Sequence, residues 1–218
     1  INGLIYRGDY MIGIILLLML LLGLGILQNS LNILVVSGIV LAITFKNKNF
    51  FKRSYLFYII GVILGTLTLI FNESQYFELI YKGIIGYGFM LVVMMVGILP
   101  NKLELSRSVK KNRGVFSILS FIFITPHAML HVFGVFPEVN IFGIAAYVIM
   151  VPLTLISFKF IKKEIDIKDW ITIQKAAYII YIALFAHLIM VSAWQDKIIY
   201  AIIMTIYINN KLIKEVRK

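Results

Sequence analysis

The sequence has no cysteine, only four prolines and three histidines, and just 10 acidic side chains in 218 residues. Without cysteine there are no disulfides, no thiolate metal ligands, no cysteine-held iron–sulfur clusters and no thiol catalysis. Any metal must be held by nitrogen or oxygen. The sequence shows no glycine-rich phosphate loop, no dinucleotide fingerprint and no internal repeat clear enough to argue an inverted-repeat transporter.

What is present is apolar. Hydrophobic residues make up 61% of the chain and charged residues 14%, and the mean hydropathy is +0.96. Soluble domains do not have this balance, so the chain reads as an all-α, polytopic protein of the lipid bilayer. Eight apolar runs approach the roughly 20 residues that a spanning helix needs. They cover 10–27, 31–45, 55–71, 79–99, 115–136, 139–161, 171–193 and 197–210, the second and last being short. The first is long for a signal-peptide core and ends without a small-x-small cleavage pattern, so it is read as a retained helix. The chain starts at Ile1 rather than Met, which leaves its N-terminal boundary soft. The Gly61 to Gly65 segment, GVILG, is a small-xxx-small pattern whose simplest meaning is close helix packing.

Lysine and arginine outnumber acids 21 to 10, but they sit in short clusters between apolar runs. They read as cytoplasmic anchors rather than a nucleic-acid surface. Alternating the loops across a membrane puts 19 of the 21 on one side. Lys82 and Lys197 fall on the other, with Glu73, Glu78, Glu138 and Asp196. Both termini are therefore expected in the cytoplasm of a multi-pass cell-membrane protein. The longest loops, near 46–54 and 100–114, are too short to fold alone, so no soluble catalytic domain is expected.

All three histidines, His127, His131 and His187, fall inside expected spans. The runs 115–136 and 171–193 both lead from the cytoplasm outward. Measured from the last inner charge, His127 lies 14 residues beyond Arg113 and His187 lies 12 beyond Lys175. Measured from the outer acids, they lie 11 before Glu138 and 9 before Asp196. At about 1.5 Å per residue the two rings differ in depth by roughly 3 Å by either measure. His131, one turn beyond His127 on the same face, stays as the alternative partner of His187, a donor behind the ligand, or a ligand of its own. Two imidazoles at matched depth can supply both axial positions of a haem iron. Zinc or non-haem iron would want a third or fourth ligand, and no Asp or Glu lies inside these spans. The other reading is that the histidines are hydrogen-bonding glue between helices.

The run from Trp170 through Gln174 and Tyr178 to His187 resembles the fifth core helix of the ferric reductase-like transmembrane domain family. Within that family the likeness is to the haem-b membrane subunits of bacterial periplasmic methionine sulfoxide reductase systems. The run from Arg113 and Ser117 to His127 is similar to the family's basic edge, small residue and ligand histidine. Residues 200–212, apolar and then basic, are similar to its last core helix. The resemblance implies a six-helix haem-binding core over 55–218. Residues 1–54 would add a transmembrane hairpin and a basic cytoplasmic loop. It implies haem b held by His127 and His187, with His131 as the alternative, and electrons relayed toward the extracytoplasmic face to a partner reductase, ferric iron or another acceptor. Family members with two stacked haems also carry inner histidines, where this chain has Ser117 and Gln174. The implication is one haem in the outer half, with a bound flavin such as FMN, or a quinone, bridging the inner half, and a flavoprotein or quinol as donor. Lys82 is a candidate partner for a haem propionate or a lysine snorkelling to the interface. Arg113 and Lys111 suit a flavin phosphate, an acidic lipid or simple topology. Trp170, Trp194, Tyr76 and Tyr81 suit aromatic belts. The rival expectation is a transporter or assembly subunit whose histidines bind a bare metal ion or glue helices.

Overall fold

The computed structural model describes residues 29–47, 49–72, 74–100, 102–135 and 139–216. The expected span 10–27, Arg7, Glu73 and Glu138 lie outside them. All regular structure among the described residues is helical. In chain order the helices are α1 (Asn29–Lys46), α2 (Ser54–Ile70), α3 (Glu78–Tyr81), α4 (Ile84–Val96), α5 (Glu104–Val132), α6 (Ile141–Leu155), α7 (Lys159–Lys162), α8 (Ile167–Gln174), α9 (Ala177–Val191) and α10 (Trp194–Val216).

Among the described residues, five stretches are long and apolar enough to cross a membrane: Asn29–Lys46, Phe50–Ile70, Gln75–Val96, Glu104–Val132 and Ile167–Val191. They coincide with five of the eight apolar runs. The run 139–161 is interrupted, because α6 has only 15 residues and its chain turns at Ile156–Phe158 before α7. The 23-residue α10 carries Asp196, Lys197, Lys211 and Lys214 and is not among the five. The basic stretch before 115, expected as a loop, is already helical from Glu104. Its Ser106, Val109 and Asn112 are buried, so tertiary packing extends the helix.

On α2 the packing is inverted relative to a helix of a soluble bundle. Along α2 the buried positions are Gly61, Gly65 and Thr68, while Ile59, Ile60, Val62 and Ile63 are exposed. Large apolar side chains face outward where lipid would solvate them, and small residues face the neighbour so that backbones can approach. A Cβ on Gly61 would come within 2.9 Å of Ile122, and one on Gly65 within 3.0 Å of Pro126. Gly65 thus packs onto the turn of α5 where Pro126 leaves the Ile122 carbonyl without its helical donor.

At the centre α4 is squeezed from two sides. A Cβ on Gly86 would lie 2.4 Å from Ile124 of α5, and one on Gly88 would lie 2.5 Å from Val36 of α1. Each glycine carbonyl accepts a serine hydroxyl from the same neighbour: Ser120 donates to Gly86 O at 2.8 Å and Ser37 to Gly88 O at 3.0 Å. The helix α1, which the resemblance assigns to an added hairpin, packs against α4, α5 and α10. The α5 helix, which carries His127, packs on α2, α4 and α6, whereas α9, which carries His187, packs on α6 and α10. These two helices barely touch each other and leave space between them.

Candidate functional site: a histidine-lined chamber

The expected helix 79–99 breaks at Lys82 and Gly83, where Gly83 takes φ +73°. L-residues with a side chain pay for that conformation and glycine does not. A Cβ there would meet Tyr87 at 3.1 Å and His127 at 3.3 Å. In an unbroken helix the Tyr81 carbonyl would accept from the amide of Ile85. It instead accepts from His127 Nδ1 at 2.8 Å. A carbonyl can only accept, so the proton of a neutral His127 is on Nδ1 and Nε2 carries the lone pair.

The structure brings all three histidines together. The rings of His127 and His187 have their centres 6.2 Å apart, and His131 lies 4.7 Å from His127. Tyr87 stands beside the pair, 6.1 Å from His127 and 6.4 Å from His187, so that the three ring centres form a nearly equilateral triangle. His187 is buried, with its Nδ1 sealed from solvent and lacking a hydrogen-bond partner. Gly143 of α6 lies against that nitrogen, and a Cβ on it would be 2.9 Å away. Asn140 positions this helix start by accepting from the amides of Phe142 and Gly143 at 3.0 and 3.3 Å. The α5–α6 contact is fixed by Tyr147, which donates to the Thr125 hydroxyl at 3.2 Å and stacks on Phe121.

Two cavities of about 360 Å³ each flank the histidines and share His127, His131, His187, Tyr87 and Val191 as lining. One reaches Tyr81, Lys82, Ser192 and Tyr200. The other reaches Gly143, Ile144, Tyr147 and Val148, of which Ile144 and Val148 are exposed on the apolar flank. Lys82 sits at the edge of the first cavity, ion-paired with Glu78 one turn earlier.

Ser117 and Gln174 meet at a third cavity, with Arg113, Thr154 and Tyr181. Its volume is about 10 Å³, room for a single water. Trp170 donates its indole N–H to Ile156 O at 3.4 Å, with Lys162 Nζ 4.0 Å from the ring centre. Tyr178 is exposed and carries Lys211 at 5.0 Å. Among the described residues no group of three or more His, Cys, Asp or Glu side chains is gathered so as to hold a metal ion.

Four participants escape the sequence reading: Gly83, the Tyr81 carbonyl, Tyr87 and Gly143. The only signal for them is glycine inside an apolar run, which also describes ordinary helix packing. Asp196, used above to mark the outer surface, is buried and bonded to Ser30 rather than sitting in water.

Compared with known protein families, curated proteins and solved structures, the chain matches none. Fold and site together define an all-helical chain, with helices long and apolar enough to cross a membrane, that holds a chamber lined by paired histidines.

Proposed function

We propose that this protein is a membrane haem-b electron-transfer subunit of the ferric reductase-like kind, with eight spans and both termini in the cytoplasm of a cell membrane. It relays electrons toward the extracytoplasmic face, to a partner reductase, ferric iron or another acceptor. The observation that carries the reading is the 6.2 Å separation of the His127 and His187 rings. An imidazole nitrogen sits about 2 Å from a metal ion, with the ring centre roughly 1 Å behind it, so two imidazoles on opposite faces of one iron have centres about 6 Å apart. The chamber's residues fit the group in two further ways. Flanking cavities on both sides of the pair leave room for a flat macrocycle, and the helices bearing the ligands both pack on α6 rather than closely on each other.

His127 and His187 would hold the iron, with His131 as the alternative to His127, and a bound haem supplies one-electron chemistry at low polarity. The protein's part is to orient His127 through the Tyr81 carbonyl, to exclude water around His187, and to offer Lys82 to a carboxylate at the cavity edge. The inner cavity of about 10 Å³ beside Ser117 and Gln174 favours one haem over two. A flavin such as FMN, or a quinone, would bridge the inner half, with a flavoprotein or quinol as donor.

The rival reading, a transporter or assembly subunit with glue histidines, draws on the His127–Tyr81 hydrogen bond, which a purely structural histidine would also make. The partnerless Nδ1 of His187 speaks against it, because glue requires a bond. A bare metal ion would want more ligands than two facing imidazoles. Purified protein supplied with haem should give a six-coordinate low-spin spectrum, oxidised and reduced, that the His127→Ala/His187→Ala double variant loses. Zinc or manganese in place of haem, or an unchanged double variant, would reject the reading.

A further inference from the structure

We propose that the two facing imidazoles are unequal: His127 is the fixed ligand, and His187 is the one a small neutral molecule displaces, entering from the Gly143 side. The ligand half of this inference rests on the haem reading above; the inequality of the two rings does not.

The inequality comes from where each ring can keep its proton. His127 has an acceptor for Nδ1–H in the Tyr81 carbonyl, 2.8 Å away, so Nε2 is presented as a lone pair. This acceptor exists because the chain breaks at Gly83 and turns the carbonyl out of its helical bond. His187 has no such arrangement. Its Nδ1 is closed to solvent and has no partner, and the backbone of Gly143 occupies the approach. A proton placed there would be a buried, unsatisfied donor. The neutral ring therefore keeps its proton on Nε2, the nitrogen left for the chamber.

Ligation through Nε2 requires that proton to move to Nδ1, where nothing accepts it. Histidines that bind metals normally donate their second N–H to a carbonyl or carboxylate, and loss of that partner weakens metal binding by about 10–100-fold. His127 has the partner and His187 lacks it. On an iron shared by both, the His187 bond is the one that gives way.

The room for a replacement is on the same side. The cavity of about 360 Å³ beyond Gly143 is lined largely by apolar groups, including Ile144, Val148 and Met150. Ile144 and Val148 are exposed on the outer apolar flank, so access is from the lipid side. A charged ligand is disfavoured there by the cost of desolvation. The occupant that fits is small and neutral, of the carbon monoxide or imidazole class.

Two measurements test this. The first needs no cofactor: nitrogen NMR of ¹⁵N-histidine protein in lipid nanodiscs, with His131→Gln simplifying the spectrum. The expected result is Nδ1–H on His127 and Nε2–H on His187. The same proton position on both rings, or the reverse pattern, overturns the proposal. The second uses haem-loaded protein. Reduced wild type should take up carbon monoxide; His187→Ala should keep haem and regain six-coordination with added imidazole, while His127→Ala should bind haem at least tenfold more weakly. Equal haem loss in both variants with no carbon monoxide uptake overturns the proposal and leaves the haem reading standing. If no haem binds at all, the haem reading and the displacement step fall together, and the NMR result still decides whether the rings are unequal.

Discussion

Asp196 accepts two hydrogen bonds from Ser30, one from the backbone amide at 2.9 Å and one from the hydroxyl, across 166 positions of sequence. The carboxylate is buried and lies at the start of α1, where helix amides lack partners and the helix dipole favours negative charge. It ties the first turn of α10 to the first turn of α1. Asp196→Ala should lower stability by about 1.5–3 kcal/mol, the range for hydrogen bonds to charged groups. Ser30→Ala should cost less, since the amide bond survives. Thermal unfolding in detergent measures both; equal losses would assign the tie to the hydroxyl alone.

Gly86→Ala and Gly38→Ala are a matched pair on adjacent helices. At Gly86 a new methyl would meet the Ile124 backbone nitrogen at 2.8 Å and Ser120 O at 2.9 Å, backbone atoms that cannot step aside. The expected loss is 1–3 kcal/mol or more, typical of overpacking, roughly as in other well-packed cores. At Gly38 nothing among the described residues lies within 4 Å of the new methyl, so alanine should be neutral or stabilising by about 0.5–1 kcal/mol. Melting temperatures of the two variants should move in opposite directions or differ clearly in size.

Gly83→Ala and Gly134→Ala separate backbone strain from loss of the His127 partner. Both glycines have positive φ, +73° and +74°, so alanine at either should cost about 1–2 kcal/mol. Only Gly83 holds the Tyr81 carbonyl against His127. On the haem reading its variant should therefore also bind haem about 10–100-fold more weakly, with Gly134→Ala unchanged in affinity. A haem titration of both proteins is the measurement.

Lys82→Gln breaks the exposed ion pair with Glu78, and such pairs contribute about 0–1 kcal/mol, so the melting temperature should hardly change. If Lys82 holds a haem carboxylate, cofactor release should quicken about two- to fivefold, the equivalent of roughly 0.5–1 kcal/mol. Stopped-flow transfer of haem to an excess acceptor protein reads that rate.

Helix-forming runs and the nearness of His127 to His187, 6.2 Å between ring centres, were legible in the sequence because hydrophobic length and flanking charge follow from the bilayer itself. The outer end of the depth measure was less sound. Asp196 is inside the bundle, bonded to Ser30, and Glu138 lies outside the described residues. The break at Gly83 was not legible, because glycine within an apolar run looks the same whether it packs a straight helix or ends one. Only the His127 ring, 44 positions further on and close against it, distinguishes the two cases. The step between α8 and α9 is of the same kind. Lys175 donates to Thr172 O at 3.1 Å and Ala176 to Ile173 O at 3.0 Å, a local tightening to three-residue bonds that composition does not announce.

With Gly86 and Gly88 set against Ile124 and Val36, the central helix meets its neighbours through main chain and has few rotamers to trade when something enters the chamber. The slab of α1, α4 and α5 is the rigid jaw. Accommodation falls to the opposite jaw of α6 and α9, which meets that slab through side chains such as Tyr147 on Thr125 and Phe121.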